Sequence, residues 1–181
     1  FRSLDWKPEN AKKIVNAAIT KIGHEFDAVI AANDGTAGGA IQALVEEGLA
    51  GKILVTGQDA ELAACQRIVR GTQTMTIYKP LSKPSAAAAR TAIELAEGRP
   101  LAASGTFDNG FKEVAALVLP VIAVDKDNLA ATVVADGFHS AAPLPCPPFP
   151  RAPAGRRIEW LRRLAAESPA RRRCQDRKRV V

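Results

Sequence analysis

The feature that most restricts what this chain can fold into is a repeated exchange between two apolar periods. From Pro8 to Ile22, Ala11, Ile14, Val15, Ala18, Ile19 and Ile22 recur at helical spacing, and Gly23 ends the stripe. Pro8 suits the first turn, where its missing N–H has no partner to lose. Residues 26–32 then form a short apolar run interrupted by Asp27, the pattern of a buried strand. The exchange continues down the chain. Thr36 is placed to cap a second helix striped by Ala37, Ala40, Ile41, Leu44 and Val45 and ended by Gly48. A strand over 52–56, a helix over 60–70 closed by Gly71 and a β-branched strand over 72–78 follow. A long Ala-rich helix over 82–97 stops at Gly98 and Pro100, and a strand over 118–124 and a short helix over 128–135 complete the series. Alternation of this kind predicts an α/β fold, a parallel sheet flanked by helices with right-handed crossovers.

In such sheets ligands sit outside the carboxyl ends of the strands. Asn33–Asp34, Gln58–Asp59 and Lys79 each stand just past the end of an expected strand, so they should gather at one edge although far apart in sequence. An amide, carboxylates and one ammonium supply donors and acceptors of both kinds, a set that suits a neutral ligand rich in hydroxyls. Trp6, just before the first helix, offers a flat apolar face for the C–H side of a sugar ring. Each residue also has a plainer role open to it. Asn and Asp at strand ends cap helices and close turns, as Asp34 in particular is placed to do, Lys79 can be a solvated loop lysine, and Trp6 can be core.

Other chemistries find little footing. Gly35–Thr36–Ala37–Gly38–Gly39 is not a GxGxxG loop, and its glycines read instead as points where the helix approaches the sheet closely. Cys65, Cys146 and Cys174 have neither metal-ligand spacing nor the number for a disulfide framework. Cys65 falls in a helix as a small apolar residue. His24 and His139 stand at no strand end, and no nucleophile elbow or metal cluster appears, so no catalysis, cofactor or metal is expected. No apolar run reaches the length of a membrane span, and no secretory signal opens the chain, whose start at Phe1 suggests a processed or truncated product. The formal charge of +6 is not a nucleic-acid footprint. Residues 1–140 carry 14 Lys and Arg against 16 Asp and Glu, while residues 141–181 carry 11 against 3. In that last stretch Pro143, Pro145, Pro147, Pro148 and Pro150 favour extended polyproline II, and only 156–168 has a helical stripe. It reads either as a basic amphipathic segment for membranes or nucleic acid, or as a disordered extension, and the second is the expectation adopted.

Three long runs resemble a known family. They are residues 27–44, which include Asn33–Asp34–Gly35–Thr36–Ala37–Gly38–Gly39; Val55–Thr56–Gly57–Gln58–Asp59–Ala60; and residues 71–80, ending Thr76–Ile77–Tyr78–Lys79–Pro80. All three are similar to the D-xylose-binding periplasmic proteins of bacterial ABC importers, type I periplasmic binding proteins, and the likeness extends from about Leu4 to His139. The resemblance implies two α/β lobes closing on a pyranose, with Trp6 as a stacking platform and Asn33, Asp59 and Lys79 as polar sugar contacts. It implies a monosaccharide ligand, D-xylose or a similar pentose, delivered without chemistry to an ABC permease in the inner membrane by a periplasmic protein that is monomeric when intact.

It also implies a division of the chain. Residues 1–79 match the second lobe and 80–118 the hinge crossing with a helix of the first lobe. Residues 119–140 match the return to the second lobe, and 141–181 lie beyond the likeness as a disordered tail. Most of the first lobe is expected to be missing. The alternative reading is the sugar-sensing half of a LacI-type repressor, which shares the fold but calls for a helix-turn-helix module not found in these residues.

Overall fold

In the computed structural model the residues described are 5–142 and 144. Helix α1 (Pro8–Ile22) starts with proline in its first turn and ends at Gly23, whose positive φ of 65° glycine takes without strain. It is followed by β1 (Ala28–Val29), α2 (Asp34–Glu46), β2 (Leu54–Val55), α3 (Leu62–Arg70) and β3 (Thr76–Tyr78). The strand ladders are shorter than the apolar runs because side chains take over some of their bonds. Thr56 Oγ1 accepts from Ala31 N, and Thr74 Oγ1 accepts from Val55 N, at 3.2 and 3.0 Å. Extended backbone continues beyond the named strands, with Thr74 N donating to Val55 O at 2.9 Å and a parallel bridge between Gln58 and Ile77.

Beyond β3 the chain leaves the sheet. Helix α4 (Ser82–Ala96) and the hairpin of β4 (Gly105–Asp108) and β5 (Glu113–Ala116) form an excursion in which none of residues 81–121 is buried. The hairpin is an element the apolar periods do not announce. Its turn is closed by Asn109, whose Oδ1 accepts from the amides of Phe111 and Lys112, and by Gly110 at φ 83°. The chain returns as β6 (Ile122–Val124), which pairs antiparallel with β3, Thr76 opposite Val124 and Tyr78 opposite Ile122. The sheet is therefore mixed, and the expectation of a purely parallel sheet is corrected. β1 pairs parallel with β2, and the bridge between Gln58 and Ile77 extends that sense to β3. β6 re-enters from the end at which β3 left, so it has to run the other way. The short helix expected over 128–135 is a five-residue π-helical turn, Ala130–Val134.

Two apolar clusters hold these pieces. One joins Val15 of α1, Ala37, Ile41 and Leu44 of α2, Val29 and Val55. The other joins Cys65 and Ile68 of α3, Tyr78, Val124, Leu129 and Val133. Helix α1 comes so close to α2 that a Cβ on Gly39 would lie 1.9 Å from Pro8 O, so that glycine serves a helix–helix approach and not the helix–sheet approach expected. Among the described residues no helix is long and apolar enough to cross a membrane. Leu144 packs on the second cluster. The rest of the proline run and the helical stripe over 156–168 lie outside the described residues.

Candidate functional site

The three expected strand-end segments do meet. Asp34 N donates to Gln58 O at 2.8 Å, Asp59 N donates to Ile77 O at 2.8 Å and Ile77 N donates to Gly57 O at 3.1 Å, so the segments after β1, β2 and β3 are stitched side by side. On this rim Lys79 Nζ pairs with Asp59 Oδ1 at 2.6 Å, both side chains remaining 38% exposed. A pair so open to solvent is available to exchange its partner for a ligand.

Asn33 stands at the same edge with a second duty. Its backbone is extended and its Oδ1 accepts from Thr36 N at 2.9 Å, while Thr36 Oγ1 accepts from Asn33 N, a reciprocal capping box. The cap is Asn33 and not Thr36, because the helix starts earlier than the apolar stripe. Trp6 is 61% exposed, in a turn at φ 54°, and so is not core. It stands two residues before Pro8, whose Cγ lies 3.9 Å from the Cβ position of Gly35 in the first turn of α2.

Sequence reasoning missed the group that holds the rim together. Asp34 is not a surface turn residue but is 0% exposed. Its Oδ1 accepts from Gln73 Nε2 at 2.8 Å, and its Oδ2 accepts from Thr76 Oγ1 at 2.9 Å and Glu61 N at 3.0 Å. Arg67 completes the set, donating from Nε to Gln73 Oε1 at 2.9 Å and from Nη2 to the Asp34 carbonyl at 2.8 Å. Burial raises the Asp34 carboxyl above its ordinary value, against the lowering effect of Gln73, the Glu61 amide, Thr76 and Arg67. Burial likewise lowers Arg67, against the raising effect of Asp34. Gly57 makes room for the arrangement, since a Cβ there would sit 2.1 Å from Asp34 Oδ1. A Gly between a strand and a Gln–Asp pair was the one available signal, and it marks close approach by a side chain.

The turn carrying Asp59 is strained. Asp59 has φ 103° and Ala60 φ 52°, two successive non-glycine residues in the left-handed region, each costing about 1–3 kcal/mol. The surroundings hold them there. Ala60 N donates to Thr76 Oγ1 at 3.1 Å, and the Ala60 carbonyl meets His139 Nε2 at 2.8 Å. His139 thus belongs to the support of this turn, although it follows no strand. Cys65, beneath it, is fully buried, and burial foremost pushes its thiol up to about 11, so it stays protonated and inert.

Comparison with known proteins identifies relatives of the chain as a whole. A family model described as a periplasmic binding protein domain matches residues 2–100. The D-xylose-binding periplasmic protein of Escherichia coli K12 is 50% identical over 139 residues, covering 77% of this chain and 42% of that protein. Its counterpart in Haemophilus influenzae is 50% identical over 135 residues, covering 75% and 41%. Among solved structures, a carbohydrate transporter solute-binding protein from Chloroflexus aurantiacus in complex with D-glucose superimposes with a TM-score of 0.71 at 33% identity, covering 78% of this chain and 43% of that one. The chain thus spans less than half the length of the curated relatives it matches, and its α/β fold resembles one lobe of such proteins. By the family model's match over more than half of its residues, the chain belongs to the periplasmic binding protein family.

Proposed function

We propose that this chain supplies part of the sugar cradle of a periplasmic substrate-binding protein, a type I member serving an ABC importer, and that its ligand is a monosaccharide, D-xylose or a similar pentose. Asn33, Asp59 and Lys79 contribute the hydrogen bonds and Trp6 the stacking face. The observation that carries this reading is the stitched rim, where an exposed Asp59–Lys79 pair and the Asn33 amide stand together on hydrogen-bonded strand ends. A hydroxyl-rich neutral ligand can satisfy all three side chains at once, and nothing in the group calls for bond-making chemistry.

Residues 1–79 and 119–140 are the second lobe in this reading, and 80–118 cross to a first lobe that they help to complete. The fully unburied excursion, with Phe107 and Phe111 64% and 90% exposed, supports that division. One lobe gains neither the opposing hydrogen bonds nor the desolvation of closure, so the 181-residue chain binds sugar far more weakly than a two-lobed protein. The test is titration of this chain with D-xylose, followed by amide shifts. Shifts confined to Asn33, Asp59, Lys79 and Trp6 support the reading. Shifts elsewhere, or none at saturating sugar, overturn it.

A further inference from the structure

The geometry points to Asp34 as a positioning residue for ligand recognition: from inside the molecule, through Thr76 and the Glu61 amide, it holds the Asp59–Ala60 turn in the conformation that presents the Asp59 carboxylate to the sugar. This rests on the sugar-binding reading above and adds to it a residue that touches no ligand.

Three facts lead there. First, the turn is one that its own residues do not favour, with Asp59 and Ala60 both at positive φ. Second, the hydrogen bonds made by the amides of residues 60 and 61 both lead to one carboxylate, while His139 on the Ala60 carbonyl and Ile77 on the Asp59 amide hold the turn separately. Ala60 N donates to Thr76 Oγ1, Thr76 Oγ1 donates to Asp34 Oδ2, and Glu61 N donates to the same oxygen. Residues 60 and 61 are thus tied to Asp34, one through a hydroxyl and one directly, immediately after the residue whose side chain faces the rim. Third, the carboxylate has no substitute. Arg67 Nε fixes the Gln73 amide with its oxygen outward, so Gln73 Nε2 must donate to Asp34 Oδ1. Both Asp34 oxygens therefore face donors, and an asparagine would set an N–H against an N–H whichever way it turned. Asp34 also lies in the first turn of α2 and against the amide preceding α3, where both helix dipoles favour negative charge.

Asp34→Asn is the direct variant. Thr76→Val keeps the buried volume and removes only the hydroxyl, and Thr76→Ser restores it. In the sugar-free 181-residue chain, Thr76→Val should speed exchange of the Ala60 amide about tenfold, the scale of losing one buried partner. It should also move the Cα shifts of Asp59 and Ala60 away from left-handed values. Under D-xylose titration, Thr76→Val and Asp34→Asn should weaken the response at Asp59 by about tenfold, and Thr76→Ser should restore it. Val15→Ala, which trims the other cluster, is the control for stability alone, since it lowers the melting point without moving Asp59. An unaltered turn in both Thr76→Val and Asp34→Asn overturns the inference, as does an altered turn with unaltered sugar affinity. A wild-type chain with no sugar response overturns the binding reading itself, and with it the role of Asp34 in recognition.

Discussion

Tyr78 ends β3 one residue before Lys79, and it is the only tyrosine in the 181 residues. Its ring is 2% exposed, stacks at a tilt on Phe138 with centroids 5.1 Å apart, and its hydroxyl donates to Asp136 Oδ2. Burial first, then the hydrogen bond to Asp136 and its charge, push the phenol up to about 12, against about 10 in an unfolded chain. Between those values the native state keeps a proton that the unfolded state has released. Stability due to this group is therefore complete below about pH 10 and falls as pH rises towards 12, by about 1.4 kcal/mol per unit and about 3 kcal/mol in all. Asp136→Asn leaves the burial and an acceptor oxygen but removes the charge, so the folded phenol should titrate between the two values. Tyrosinate absorbance in the near ultraviolet reads this single residue, and urea midpoints at alkaline pH read its effect on stability. Comparing wild type with Asp136→Asn isolates the contribution of the Asp136 charge. A folded wild-type chain that titrates at the ordinary value, or a variant that titrates no lower than wild type, would refute the reasoning.

Gly39→Ala places a methyl 1.9 Å from Pro8 O and should lower unfolding stability by about 2 kcal/mol; an unchanged urea midpoint would contradict the close approach of α1 and α2. Lys79→Met removes a half-exposed ion pair, so stability should change by less than about 1 kcal/mol while the sugar response at Asp59 falls, and the reverse pattern would make Lys79 structural. Amides of α4, which buries no residue, should exchange far faster than those of α2. Strong protection across Ser82–Ala96 in a monomer would show a covering surface that the present packing lacks.

Much of this architecture could be read from the residues, and the losses have physical causes. Helices α1 to α4 announce themselves because each carries an apolar stripe or glycine stop that depends on local spacing alone. The meeting of Asn33, Asp59 and Lys79 at one edge followed from strand direction, which the parallel β1–β2 pair and the Gln58–Ile77 bridge preserve. The reversal of β6 was not visible, since it depends on where a forty-residue excursion brings the chain back. The hairpin of β4 and β5 was missed because exposed strands carry no burial pattern, although Asn109–Gly110 is a turn signal. Asp34 was misjudged for a related reason. Its partners Gln73 and Thr76 lie about forty positions away, and no local pattern distinguishes a carboxylate that closes a turn from one that organises three strand ends.

The pairing of Tyr78 with Ile122 makes residues 80–121 a detachable appendage. Chain exit and re-entry stand one strand spacing apart on antiparallel neighbours, the arrangement that a short reverse turn spans without strain. A graft joining Lys79 to Ile122 through such a turn would delete the excursion and its exposed phenylalanines while leaving both apolar clusters and the rim intact. The strand-end rim is in that sense a portable module, and its local chemistry could be studied in a chain about forty residues shorter.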